Sequence, residues 1–132
     1  MERPCAYAII QNASNAIAVV RTRKGYLLPG GGVDPSETLE SGLRREILEE
    51  LGCELEIVDE LCAAAQFIYD KEEDVYWHKV GHFFPATLGK KVAEPIEKDH
   101  VLVWFSPRDC VKNLAQEFQA WTIRQAFKIH AE

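Results

Sequence analysis

The sequence has little that would staple, anchor or tether it. Its four cysteines, Cys5, Cys53, Cys62 and Cys110, are scattered and form no C-x-x-C pair, which argues against a zinc ribbon and a thioredoxin-like redox site. No apolar run approaches the ~20 residues that span a bilayer. Met1-Glu2-Arg3-Pro4 leads straight into a strand-like segment without the pattern of a secretory leader. Internal repeats, low-complexity tracts and linkers are missing as well. Positive charge is scarce: 15 Lys and Arg stand against 21 Asp and Glu, a formal net charge of −6, and the basic residues are dispersed. That argues against the basic face of a nucleic-acid-binding protein. The expectation is a soluble, cytoplasmic protein with reduced thiols and no membrane or nucleic-acid partner.

What is present is a normal complement for a folded core. The chain has 132 residues, 47% hydrophobic and 27% charged, which suits one domain over residues 1–132 that needs no disulfides. The acidic balance has a further consequence. A phosphorylated substrate would be repelled by the overall field, so something local and positive must compensate, and a divalent metal is the natural candidate.

Along the chain, Cys5–Gln11 and Ile17–Val20 read as strands around the polar turn Asn12–Asn15, which suggests a hairpin. Tyr26–Leu28 is a short strand, and Pro29-Gly30-Gly31-Gly32 cannot be helix and makes a poor strand. Leu39, Leu43, Ile47 and Leu51 recur every fourth residue, predicting a helix over Thr38–Leu51. Asp34-Pro35 with Glu37, or Thr38 a turn later, would cap it, and Gly52 would end it. Glu54–Tyr69 and Val75–Pro85 read as paired strands around the acidic tip Asp70–Asp74. Thr87–His100 reads as loop and Val101–Phe105 as strand. Ser106-Pro107 opens a helix, and Ala115–Ile129 is a closing helix with Phe118, Trp121, Ile123 and Phe127 available to pack. The order predicts an α/β fold, a mixed sheet with helices against it.

The first of these helices carries the chemistry. With Leu39 at zero and about 100° per residue, the apolar stripe spans about 0° to 120°, Glu46 falls near about −20°, Glu50 near about +20° and Glu49 near about −80°. Two of the three carboxylates therefore lie on or beside the face that meets the protein. Carboxylates at i, i+3 and i+4 repel, more so as they leave water, which favours protonation or a cation among them. Hard oxygens without nearby thiolate or imidazole favour Mg²⁺, or Mn²⁺, over zinc. Upstream, Gly30, Gly31 and Gly32 provide backbone without Cβ, whose carbonyls or amides can approach a metal or phosphate.

From Gly31 to Cys53 the chain reads G-GVDPS-E-TLESGLR-R-E-I-L-E-E-L-G-C. This resembles the Nudix box, G-x5-E-x7-R-E-U-x-E-E-x-G-U, with U a bulky apolar residue. Gly31, Glu37, Arg45, Glu46, Glu49, Glu50 and Gly52 all match, with Ile47 at the first U and the smaller Cys53 at the last. The resemblance implies the family's α/β/α sandwich with a catalytic loop–helix, and Mg²⁺-dependent hydrolysis of a nucleoside diphosphate linked to another group. Glu46, Glu49 and Glu50, with the Gly30 carbonyl, match metal-binding positions. Glu37 and Arg45 match a pair that holds loop to helix. A carboxylate takes the proton of the attacking water, Glu46 first and Glu49 second. Some members use a further glutamate from a later loop. Here Val101 or His100 aligns with it, leaving Glu97 and Asp99 as fallback carboxylates.

Other residues read as ordinary. His78, His82, His100 and His130 have no metal spacing. Tyr69, Tyr76, Trp77 and Phe83 fit a core better than a base-stacking platform, and Arg21, Arg23 and Lys24 fit a surface turn as well as a phosphate contact. Two rival functions remain on the sequence: a nucleotide sensor without turnover, disfavoured because every box glutamate is kept, and a pyrophosphohydrolase of RNA 5′ ends, disfavoured by the acidic balance. The substrate among nucleoside triphosphates, dinucleoside polyphosphates and nucleotide sugars is left open, and so is pairing into a homodimer.

Overall fold

A computed structural model describes residues 2–129. Its strands form a mixed five-stranded sheet and a smaller three-stranded one. In the larger sheet β1 (Glu2–Ile10) runs parallel to β7 (Val75–Lys91), and β4 (Gly30–Gly32) pairs antiparallel with the other edge of β1. The long β7 pairs successively with β6 (Cys62–Asp70) and β5 (Cys53–Ile57). The smaller sheet has β2 (Ile17–Thr22) between β3 (Gly25–Leu27) and β8 (Val101–Phe105). Three helices complete the chain: α1 (Leu39–Leu51), α2 (Pro107–Asn113) and α3 (Glu117–Phe127).

The continuous apolar runs of β1 and β2 are buried on both faces, as expected for strands covered from two sides. Alternate residues therefore feed two cores. Ala6, Ala8, Ile10, Ala18 and Val20 pack with Leu43, Ile47 and Leu51 of α1. Cys5, Tyr7, Ile9, Ile17 and Val19 pack with Phe83, Cys110, Phe118 and Ile123 on the side of α2 and α3. Helix, sheet and helices thus make three layers, the expected sandwich. Full burial of a side chain such as Leu43 or Ile47 contributes about 1.5–3 kcal/mol, so α1 is held where its stripe places it. On the far side, buried Gln119 accepts the Leu28 amide at 2.8 Å, fixing the chain just before the glycines.

Several sequence expectations change. The Asn12 side chain shapes the predicted turn, accepting from Ser14 and Ala16 amides, yet β1 and β2 share only the bridge Gln11↔Ile17 before entering different sheets. The glycines are not a bare turn: they form β4, because residues without Cβ can lie this close to β1. A Cβ on Gly30, at φ 136°, would fall 2.1 Å from the Ala6 carbonyl oxygen. The single strand expected over Glu54–Tyr69 is two. Its break at 58–61 lies beside Pro85 of β7, which has no amide to donate but whose carbonyl accepts from Val58. The loop expected from Thr87 starts later, since β7 runs on to Lys91 against β5. The closing helix is trimmed to Glu117–Phe127, and Trp121, expected to pack, is 41% exposed.

Candidate active site

Helix α1 begins where Thr38 accepts the Ser41 amide and the Ser41 hydroxyl accepts the Thr38 amide, a reciprocal cap. Glu37, the rival capping residue, is left free for another task. It accepts from the Asp34 amide at 3.0 Å and grips Arg45 through two bonds, Nε to Oε2 at 2.8 Å and Nη2 to Oε1 at 2.9 Å. Arg45 and then the Asp34 amide hold the Glu37 carboxyl down at about 2. The same guanidinium donates from Nη2 to the Gly32 carbonyl at 3.1 Å. Loop, helix and glycine strand are thereby joined through one side chain.

The three glutamates follow the order of the helical wheel. Glu50, nearest the stripe, is 5% exposed; its Oε1 accepts from the Gly30 amide at 2.9 Å and its Oε2 lies 3.0 Å from His100 Nδ1. Burial pushes its carboxyl up to about 8, with repulsion from Glu46, Glu97 and Glu49 adding and the Gly30 amide opposing. Glu46 faces Gly31 so closely that a Cβ there would lie 2.8 Å from Glu46 Cδ. Burial also raises Glu46, helped by Glu49 and Glu97 and opposed by Arg45. Glu49 is the outermost of the three. Arg45 Nη1 stands between Glu46, at 3.1 Å, and Glu49, at 3.4 Å.

The end of the helix recruits a fourth carboxylate. Gly52 is left-handed, φ 70°, and a Cβ on it would fall 2.0 Å from the Ala93 carbonyl oxygen. Its carbonyl accepts the Val92 and Ala93 amides, and the Glu49 carbonyl accepts those of Ile96 and Glu97. This docking brings Glu97 near enough for its charge to raise both Glu46 and Glu50. Asp99 is not brought in; it lies 3.8 Å from Arg23, with both side chains exposed. His100 corrects the sequence reading, which treated it as an ordinary loop residue. Its alignment with the family's outside glutamate was the one signal available. His78 stacks on Phe67, His82 pairs with Glu60, and His130 lies outside the described residues.

Among the described residues, no three Asp, Glu, His or Cys side chains enclose a point for an ion as they stand. The sequence led us to expect a cation among the glutamates; the structure puts the Arg45 guanidinium between two of them. The donor set nevertheless suits a hard divalent ion. The glutamates supply hard oxygens, although the His100 imidazole, which the sequence did not place beside them, lies against Glu50. Burial of Glu50 and Glu46 disfavours their charged forms unless positive charge is near. Arg45 also keeps its two bonds to Glu37 if Glu46 and Glu49 turn away from it.

The NUDIX domain family model matches residues 1–126. The chain belongs to the Nudix hydrolase family. It is 31% identical over 104 residues to a Bacillus subtilis (strain 168) protein named "Putative 8-oxo-dGTP diphosphatase", covering 77% of this chain and 65% of that protein. It is 62% identical over 32 residues to the nucleoside triphosphatase NudI of Enterobacter sp. (strain 638), covering 24% of this chain and 23% of that one. The chain thus spans less than two thirds of either relative. The crystal structure of a MutT protein from Methanosarcina mazei Go1 shares the fold, with a TM-score of 0.76 and 20% identity over 96% of this chain and 94% of that one. No described helix is long and apolar enough to cross a membrane.

Proposed function

We propose that this single Nudix domain, residues 1–132, hydrolyses a phosphoanhydride bond in a nucleoside diphosphate linked to another moiety, with Mg²⁺ or Mn²⁺ as cofactor. The observation that carries the reading is the packing of Glu46, Glu49 and Glu50 of one helix against the glycine strand, with Glu50 buried on the Gly30 amide. Glu46, Glu49, Glu50 and the Gly30 carbonyl would hold the metal. When bound, it offsets charge on phosphate oxygens and acidifies water.

The residues divide the remaining work. Glu46 accepts the proton as a water oxygen bonds to phosphorus and the bridging P–O bond breaks. Burial raises its affinity for a proton above that of a free carboxylate, which favours it as the acceptor. Glu49 is the second candidate for the same step. Arg45, clamped by Glu37, keeps Glu46 and Glu49 oriented and ties them to Gly32. Gly31 leaves room for the Glu46 carboxyl.

The test is release of phosphate or a nucleoside monophosphate with Mg²⁺ from a panel of nucleoside triphosphates, 8-oxo-dGTP, dinucleoside polyphosphates and nucleotide sugars. The names of the two relatives put triphosphates first on that panel. Glu49→Gln is expected to lose activity by about 10²-fold or more. Equal turnover in the two proteins defeats the assignment.

A further inference from the structure

On the other side of the glycine strand from Arg45 the charge reverses. A cavity of about 330 Å³ is lined by four cations, Arg3, Lys24, Lys71 and Lys79, against two carboxylates, Asp70 and Glu72. In a chain of net charge −6 this is a local excess of the opposite sign. Arg3, Lys24 and Lys79 come from three strands or turns that the sheets bring together: Arg3↔Lys79 is a cross-strand pair of β1 and β7, and Lys24 lies in the β2–β3 turn. None of the three makes an ion pair among the described residues. Like charges so gathered repel. Burial, with Arg3 and Lys24 adding, lowers the pKa of the Lys79 amine, against Cys5 and Asp70.

Two details direct this charge. The Arg3 guanidinium lies 5.5 Å over the Trp77 ring, which orients it and covers one face of the indole. Arg3 also adjoins the site already described: a Cβ on Gly32 would lie 2.9 Å from Arg3 Nε, while the Gly32 carbonyl accepts from Arg45. Gly32 thus meets a cavity residue, Arg3, and the residue that orients the carboxylates, Arg45.

We propose that this cavity receives an anionic group of the substrate beyond the cleaved anhydride, a further phosphate and not a neutral sugar, with Arg3, Lys24 and Lys79 as specificity-determining residues. The inference rests on the hydrolytic reading for its substrate and names what that reading leaves open. A third phosphate adds a charge that these donors meet with charge-assisted hydrogen bonds. A neutral sugar would leave these cations crowded, with no charge to offset their repulsion.

The test separates the two readings by removing the metal. Inorganic tripolyphosphate is titrated calorimetrically into the full chain in EDTA, for wild type, Lys79→Met, Arg3→Gln and Glu49→Gln. Wild type and Glu49→Gln are expected to bind alike, with affinity falling as salt rises. Lys79→Met and Arg3→Gln should each bind about tenfold more weakly, the loss typical of a bond to a charged group. Arg3 is exposed, so its variant reports even if the Lys79 variant folds poorly. With Mg²⁺, Arg3→Gln should lower kcat/KM for nucleoside triphosphates about tenfold through KM, and leave that for nucleotide sugars within about twofold. Tripolyphosphate binding that is undetectable in wild type or unchanged in both cavity variants overturns the inference, and so does an unchanged triphosphate-to-sugar ratio. Cavity-dependent anion binding without any hydrolysis would instead overturn the hydrolytic reading and leave the anion site standing.

Discussion

The two sides of Gly32 are electrostatic opposites built from the same backbone. On the α1 side, carboxylates at 46, 49, 50 and 97 crowd around Arg45 and His100. On the cavity side, Arg3, Lys24 and Lys79 crowd with few carboxylates and no ion pair of their own among the described residues. The comparison teaches that an acidic protein need not rely on a metal alone to approach phosphate. It can separate charges across a strand whose glycines let both sets come close. The carboxylate side comes almost entirely from one helix, whereas the cationic side is assembled from segments distant in sequence.

The largest effect that would sharpen this contrast is on catalysis. Glu46→Gln should lower Mg²⁺-dependent kcat by about 10²–10⁴-fold, read by product release, with metal-free tripolyphosphate binding unchanged. A full-rate variant would move the proton transfer away from Glu46. Next comes the support of the helix. Ile47→Ala should cost about 2–5 kcal/mol in urea unfolding, because Ile47 is fully buried in the core that carries α1. A loss below about 1 kcal/mol would mean the helix is not anchored by that stripe.

Acid and base should act in opposite senses on two glutamates of the carboxylate side. Glu50 rises in the folded protein from 4.5 to about 8, so the folded state keeps a proton that the unfolded chain gives up. Its effect on metal-free stability is absent below 4.5 and turns increasingly unfavourable as pH climbs to about 8. Glu50→Gln should flatten the fall of Tm across that window. A parallel pH profile in the variant would show that Glu50 is not the group responsible. Glu37 instead falls from 4.5 to about 2. Its stabilisation is complete above 4.5 and lost as pH drops through about 2, and Glu37→Gln should remove that part of the acid transition. The smallest effect is at the start of the helix, where Thr38→Ala should cost about 1 kcal/mol. An unchanged urea midpoint there would return the cap to Asp34 and Glu37.

Much of the carboxylate side was legible in advance because it is local. A fourfold apolar period and the angles around it put two of the three carboxylates on or beside the face that meets the protein, and Glu50 is buried there. The Ser106 cap with Pro107 at the first helical position was legible for the same reason, being settled within one turn. The division of Glu54–Tyr69 was not, since the break answers to Pro85 on a partner strand. Nor was β4, which exists because β1 runs alongside it.

The candidate site divides along the same line. Asp99 and Glu97 are two residues apart, yet the loop that docks on Gly52 turns one toward the cluster and the other toward Arg23. His100 approaches Glu50 across 50 positions of chain, a contact that no spacing rule anticipates. The aromatics also sorted by environment: Phe83 entered the core, Tyr69 and Tyr76 contact each other on the surface, and Trp77 lies under Arg3.

By itself the sequence determined the family box, the helix that presents it and the glycine run that can approach it, because each follows from chain geometry within a few residues. Which strands flank that helix, which loop residue reaches Glu50, and where the scattered basic residues of an acidic chain converge were decided by tertiary structure. Those outcomes depend on pairing between distant segments, and a strand's register with its partner is set by what both can bury together.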